Sequence, residues 1–124
     1  MIKIKNLFDK VEKEDDGQRL SIEPIGLTLD LREWCAVDHV LTELGPPLEL
    51  WEWFEKHPDG YDYFRGKYHE HLSRGRRRKA TMHLAAAALQ ENFTLLHQGD
   101  DPQHNSATAL YEFLSELQAY SKPE

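Results

Sequence analysis

The first residues alternate between apolar and polar side chains, and Ile2, Ile4 and Leu7 with Phe8 predict a short strand. The charged run Val11 to Gly17, VEKEDDG, predicts a loop that closes in an Asp-Gly turn. Leu20 and Ile22 alternate within Arg19 to Ile25, RLSIEPI, so a second strand is expected there. Pro24 has no amide proton to give to a ladder and marks that strand's end, with a turn at Gly26. From Leu27 to Leu44, the residues Leu31, Trp34, Val37, Val40, Leu41 and Leu44 recur at helical spacing and predict a helix, capped by Asp30 alone.

Gly45-Pro46-Pro47 breaks the chain, and Pro47 fits the first position of a short helix to Lys56 with Leu50, Trp51 and Phe54 on one face. His57-Pro58-Asp59-Gly60 is the next turn. Tyr61, Phe64, Tyr68 and Leu72 then form one helical stripe, expected to pack against the sheet. Ser73 to Arg78 interrupts, and a helix from about Lys79 to Gln90 carries four consecutive alanines, which suit a close approach of two elements. Phe93 to Leu96 predicts a short buried strand, and a final helix reaches about Tyr120 with Ala107, Leu110, Leu114 and Leu117 inward. Strands separated by long helical stretches favour parallel pairing. The expected architecture is α/β, a small, mostly parallel sheet of about three strands covered by helices, in a single domain over residues 1–124.

Composition narrows the function classes. The 124 residues suffice for one core, with 40% hydrophobic and 30% charged side chains. A single cysteine, Cys35, excludes an intramolecular disulfide and a multi-cysteine zinc site. The opening MIKIKNLFD reads as a strand and not a signal peptide, so a cytoplasmic protein is expected. The longest apolar run, LAAAAL from Leu84 to Leu89, falls well short of the roughly 20 residues of a membrane span, so no membrane role is expected. The formal net charge of -7 opposes attraction to phosphate backbones. A nucleic-acid role would have to rest on the local patch of Arg74, Arg76, Arg77, Arg78 and Lys79, which no aromatic interrupts, and a solvated charged face explains that patch as well.

Candidate chemistry gathers at TLLHQGDDPQHNSA, Thr94 to Ala107, where a strand runs into a polar turn and then a helix. Ligands of parallel sheets collect at such carboxyl ends. Asp101 as cap and Pro102 in the first turn would leave amide groups near His104, Asn105 and Ser106 for an anion, whereas Asp100 and Asp101 can satisfy the same donors with no ligand. His97, Asp100, Asp101 and His104 have ligand chemistry but no spacing that fixes convergence, so neither a metal nor a cofactor is expected. Ser106 lacks a nucleophile-elbow setting, Cys35 lies in a packing context, and no phosphate-binding glycine loop occurs. Trp34, Trp51 and Trp53 read as packing anchors, although Trp51 and Trp53 cannot both point inward from one helix.

An amino-terminal strand, Asp16-Gly17-Gln18-Arg19 before a second strand, Phe64-Arg65 with Tyr68 on a helix, and Thr94-Leu95-Leu96 followed by Asn105 and Ala107 together resemble the small bacterial YeaO-like proteins, domain of unknown function 488. The resemblance covers nearly the whole chain and implies a cytosolic bacterial α/β protein. Arg19, Glu23 and Asn105 match in kind. Where the family usually reads Asp-Arg-apolar-Trp-Pro-Arg-Gly, this chain has Glu23-Pro24-Ile25-Gly26-Leu27-Thr28-Leu29, without either arginine. Where the family has Asn-His-Ala, this chain has Asn105-Ser106-Ala107, with the histidine one place earlier at His104. Losing two fork-shaped donors weakens anion recognition of the family kind.

The expectation is therefore a divergent or non-catalytic domain that binds a small anion or a protein partner through Glu23, His97, Asp100, His104 and Asn105, with Arg19 and Ser106 as further ligand-binding candidates. One alternative is an enzyme using His97 or His104 as a general acid or base, which requires both to face a common pocket. Another is a nucleic-acid accessory factor acting through Arg74 to Lys79.

Overall fold

The computed structural model describes residues 1–24 and 27–121. The turn expected at Gly26 and the end of the second strand at Ile25 lie outside the described residues. Four strands, β1 (Ile2–Asn6), β2 (Gln18–Ser21), β3 (His39–Val40) and β4 (Phe93–His97), form one sheet in the order β1-β4-β2-β3, with every pair parallel. Six helices accompany them: α1 (Lys13–Asp16), α2 (Leu29–Trp34), α3 (Leu48–Lys56), α4 (Tyr61–Leu72), α5 (Gly75–Ala87) and α6 (Ser106–Ser121). The α/β class and the parallel sheet agree with the sequence pattern, and the fourth strand comes from a segment that read as helix.

That segment, Leu27 to Leu44, divides into α2, the two-residue β3 and a 3-10 turn at Thr42–Leu44. The helix cannot continue past Trp34 because Ala36 takes a φ of 52, a left-handed conformation that few non-glycine residues adopt. Leu31, Val37 and Val40 still bury apolar surface, but against Leu7, Cys35 and Leu96 beneath the sheet and not along one helical face. Trp34, expected inside, is 85% exposed, whereas Trp51 and Trp53 are both half-buried.

Other boundaries shift less. The charged loop at Val11 to Gly17 contains the single turn α1. The break before α5 is only Ser73 and Arg74, so Gly75 to Arg78 belong to the helix. Gly17 follows α1 with φ 62, and a Cβ there would lie 2.0 Å from the carbonyl oxygen of Asn92, so only glycine fits this crossing.

The upper face of the sheet carries the main core. Leu20, Ile22, Phe93 and Leu95 meet the α4 stripe of Tyr61, Phe64, Tyr68 and Leu72, all buried, together with Ala107, Leu110 and Leu114 of α6. The phenolic hydroxyl of Tyr68 donates to the carbonyl of Leu44, which satisfies the polar end of a fully buried ring. Ala85 and Ala88 bury the inner face of α5, where their small side chains admit α6 closely enough for Gln118 to donate to the carbonyl of Ala85. The stripe thus holds the face that its spacing predicted, and two of the four alanines, Ala85 and Ala88, are buried.

Alternate residues on the lower face are polar. Asp16, fully buried, takes Arg19 Nη1 at 2.7 Å on one carboxylate oxygen and Lys5 Nζ at 2.8 Å on the other. Arg19 also donates through Nε and Nη2 to the carbonyl of Cys35, and Thr94 donates its hydroxyl to the carbonyl of Asp16. Charges this deep persist only when paired and hydrogen-bonded.

Candidate functional site

Parallel strands end together, and the loops that follow β2 and β4 meet at one corner of the sheet. A cleft of about 250 Å³ opens there, with Glu23 from the end of β2 on one side and Asp100, Asp101, His104, Asn105 and Ser106 on the other. The third wall is α3 and the turn after it, contributing Trp51, Phe54, Glu55 and Pro58. Five of the residues singled out in the sequence, Glu23, Asp100, His104, Asn105 and Ser106, therefore line one cleft.

Glu23 is buried, and both its oxygens are engaged. Oε2 accepts from the indole Nε1 of Trp51 at 3.1 Å, and Oε1 accepts from the backbone amide of Gln98 at 2.7 Å. The carboxylate joins the end of β2 to α3 and to the loop after β4. Its charge reaches beyond these bonds: together with partial burial it raises the Glu55 carboxyl above its usual value, and with complete burial it raises the Tyr68 phenol.

The polar turn differs from the expected cap. Asp101 Oδ1 accepts from the amides of Gln103 and His104, which closes an Asx turn before the helix and holds the carboxyl below its usual value. The helix starts at Ser106, and Asn105 caps it, its side-chain oxygen accepting from the amide of Thr108 at 2.8 Å and its side-chain nitrogen donating to the carbonyl of Asp101. Of the amides near His104, Asn105 and Ser106 that could serve either an anion or the protein's own carboxylates, that of His104 is taken by Asp101.

His104 lies half-exposed at the mouth, its Nδ1 3.5 Å from Asp101 Oδ2 and its ring stacked on Tyr61 at 4.7 Å between centroids. Tyr61 in turn donates to Glu112, which also pairs with Arg65. Ser106 is buried at the first position of α6, and no base is hydrogen-bonded to its hydroxyl among the described residues.

The two remaining candidates lie elsewhere. Arg19 is beneath the sheet, fully engaged with Asp16 and Cys35. His97, 4% exposed, lines a neighbouring cavity of about 270 Å³ with Asn6, Asp9 and Asp100, and its Nδ1 is buried without a hydrogen-bond partner among the described residues. The two histidines thus face adjacent cavities that share Asp100, not one pocket. Among the described residues no three metal-ligating side chains converge. No helix among the described residues is long and apolar enough to cross a membrane.

Sequence reasoning missed Trp51 as a cleft residue, along with Phe54, Glu55 and Pro58. The apolar face of α3 was legible, but its docking across the sheet corner depends on long-range packing. The one local sign was the second tryptophan of Trp51-Glu52-Trp53, which cannot share the face of the first.

Among the described residues the cleft holds carboxylates from Glu23, Glu55, Asp100 and Asp101, no lysine or arginine, and the His104 imidazole with no hydrogen bond to the Ser106 hydroxyl. Among these residues the parts of an acyl- or phosphoryl-transfer site do not meet in this cleft. No curated protein and no solved structure matches the chain. The model of the inactive DUF488-N3 subclade matches residues 1–123, in agreement with the YeaO-like resemblance and its missing arginines, and the chain belongs to that subclade.

Proposed function

We propose that this chain is a cytosolic bacterial domain that binds without catalysis, through the corner cleft between the ends of β2 and β4 and helix α3. The observation that carries the reading is Glu23: a buried carboxylate whose two oxygens are fixed by Trp51 and Gln98 supports a rigid wall and is poorly placed to shuttle protons. Membership of an inactive subclade supports the same reading. The cytosolic and bacterial assignments follow from the YeaO-like resemblance.

Of the two partner classes that the sequence suggested, a small anion and a protein, the lining favours the protein. Four carboxylates without a lysine or arginine repel an anion, whereas a lysine or arginine side chain of a partner meets Glu55 and Asp100 at the rim and Trp51 and Phe54 beneath.

The test is thermal denaturation of the wild type, Glu55→Gln and His104→Ala with arginine methyl ester, N-acetyl-lysine methylamide, inorganic phosphate and citrate, since a ligand that binds only the folded state raises its stability. Stabilisation by the cationic probes that weakens in Glu55→Gln supports the proposal. Stabilisation by phosphate or citrate alone refutes the cationic preference.

The alternative of a histidine acid/base enzyme would rest on His104 and its Asp101 contact alone, because His97 faces the adjacent cavity. Turnover on a panel of hydrolase and transferase substrates that disappears in His104→Ala would establish that enzyme and overturn the binding role.

A further inference from the structure

On the other side of α3 from the corner cleft, a groove of about 430 Å³ lies between α3, α4 and α5. Its basic residues are Lys67 and His71 of α4, Arg74 at the helix junction and Arg77 of α5, and its apolar wall is Pro47, Leu50 and Tyr63. We infer that this groove is a docking site for a short acidic, partly apolar peptide segment of another protein.

The first turn of α5 supplies the argument. Arg77 and Arg78 precede the buried Thr81 by four and three positions and therefore lie on the helix's inner face, yet both are exposed. The first turn of α5 is thus exposed on this face, where Arg77 lines the groove. Helix starts favour acidic residues, and this one has none, although the chain has 22 aspartates and glutamates. Arg76, Arg77, Arg78 and Lys79 form no ion pair among the described residues, and Arg74 has only its exposed contact with Glu70 at 3.0 Å. Partial burial and the neighbouring Arg77 guanidinium hold the His71 imidazole below its usual value, so at neutral pH Lys67, Arg74 and Arg77 carry the groove's charge.

The complementary charge is negative, and the lining distinguishes between polyanions. Glu49 and Glu70 stand among the cations. Both carboxylates repel any anion, but a peptide can offset this with backbone amide donors, which a phosphodiester backbone lacks. Tyr63, 55% exposed with Lys67 Nζ 5.8 Å from its ring centroid, and Leu50 offer contact to apolar side chains. The net charge of -7 repels a long polyanion and leaves a short segment confined to the groove.

Fluorescence anisotropy tests the inference with three labelled probes: an alternating glutamate–leucine peptide, its glutamine–leucine counterpart and oligothymidylate. The acidic peptide is expected to bind most tightly at about 50 mM salt, and its affinity to fall as salt rises because these charges are exposed. Joint Arg74→Glu and Arg77→Glu substitution is expected to weaken it by at least about tenfold, and Arg77→Gln, a milder change at an exposed helical position, by a smaller factor. Absence of peptide binding at low salt, affinity unchanged in these variants, or equal binding of the uncharged peptide would overturn the inference. Tighter binding of oligothymidylate would replace it with a nucleic-acid surface, and salt-sensitive self-association lost in the same variants would make the occupant a second copy of this chain.

Discussion

The indole Nε1 of Trp51 donates to Glu23 Oε2 across 3.1 Å, and this bond joins α3 to the end of β2. The bond sets the position of one cleft wall against another. Trp51→Phe retains most of the ring's apolar contact but leaves one buried carboxylate oxygen without its donor, a cost of about 1–3 kcal/mol. Chemical denaturation should show that loss, and cationic probes of the cleft should bind less tightly because the wall is no longer pinned.

Asp16 depends on a different balance. Burial pushes its carboxyl upward, but hydrogen bonds from Lys5, the Glu12 amide and Arg19, with the Lys5 charge, outweigh that push and leave it below the ordinary aspartate value. Its folded value is depressed, so its contribution is present above the unfolded value and is lost as pH falls through the folded one. Asp16→Asn removes the charge and strands Arg19 in the interior, at a cost of about 3–5 kcal/mol. The variant's stability curve should also lose the steep segment that the wild type shows below the usual aspartate range.

His69 sets the pH response on the opposite side of the sheet. Burial lowers its imidazole below the usual value and prevails over the hydrogen bond to the Ala109 carbonyl. The fold thus prefers the neutral ring, and stability that is complete above the unfolded histidine value declines as pH falls below it. His69→Gln keeps an N–H donor without titrating, so the stability of this variant should fall less than that of the wild type between about pH 7 and pH 5. Parallel curves for the two proteins would remove His69 as the cause.

These residues also show which parts of the molecule were legible in advance. Tyr61, Phe64, Tyr68 and Leu72 were readable because α4 buries one face for its whole length, and spacing reports that directly. Leu31, Val37 and Val40 misled because α2, the connection after it and β3 place them in one lower core, and their spacing happens to fit a helix. The corner cleft was located because parallel strands bring Glu23 and the Asp100–Ser106 segment to the same end of the sheet. Arg19 was assigned to it from its likeness to the family alone, whereas alternation along β2 sends its side chain beneath the sheet. Glu55 had no local signal and Trp51 only its pairing with Trp53, since the packing of α3 brings them there.

The strand order β1-β4-β2-β3 has a consequence for biosynthesis. The central strand, β4, is the last of the four to be made, and it supplies the partner for both β1 and β2, pairing Ile2 with Phe93 and Gln18 with the same residue. Until His97 has left the ribosome, β1 has no neighbour in the sheet, and Asp16 and Arg19 wait beside a strand that does not yet exist. The nascent chain must therefore carry its helices as a loosely held set, and closure of the sheet comes as a late, long-range step of the kind that slows folding.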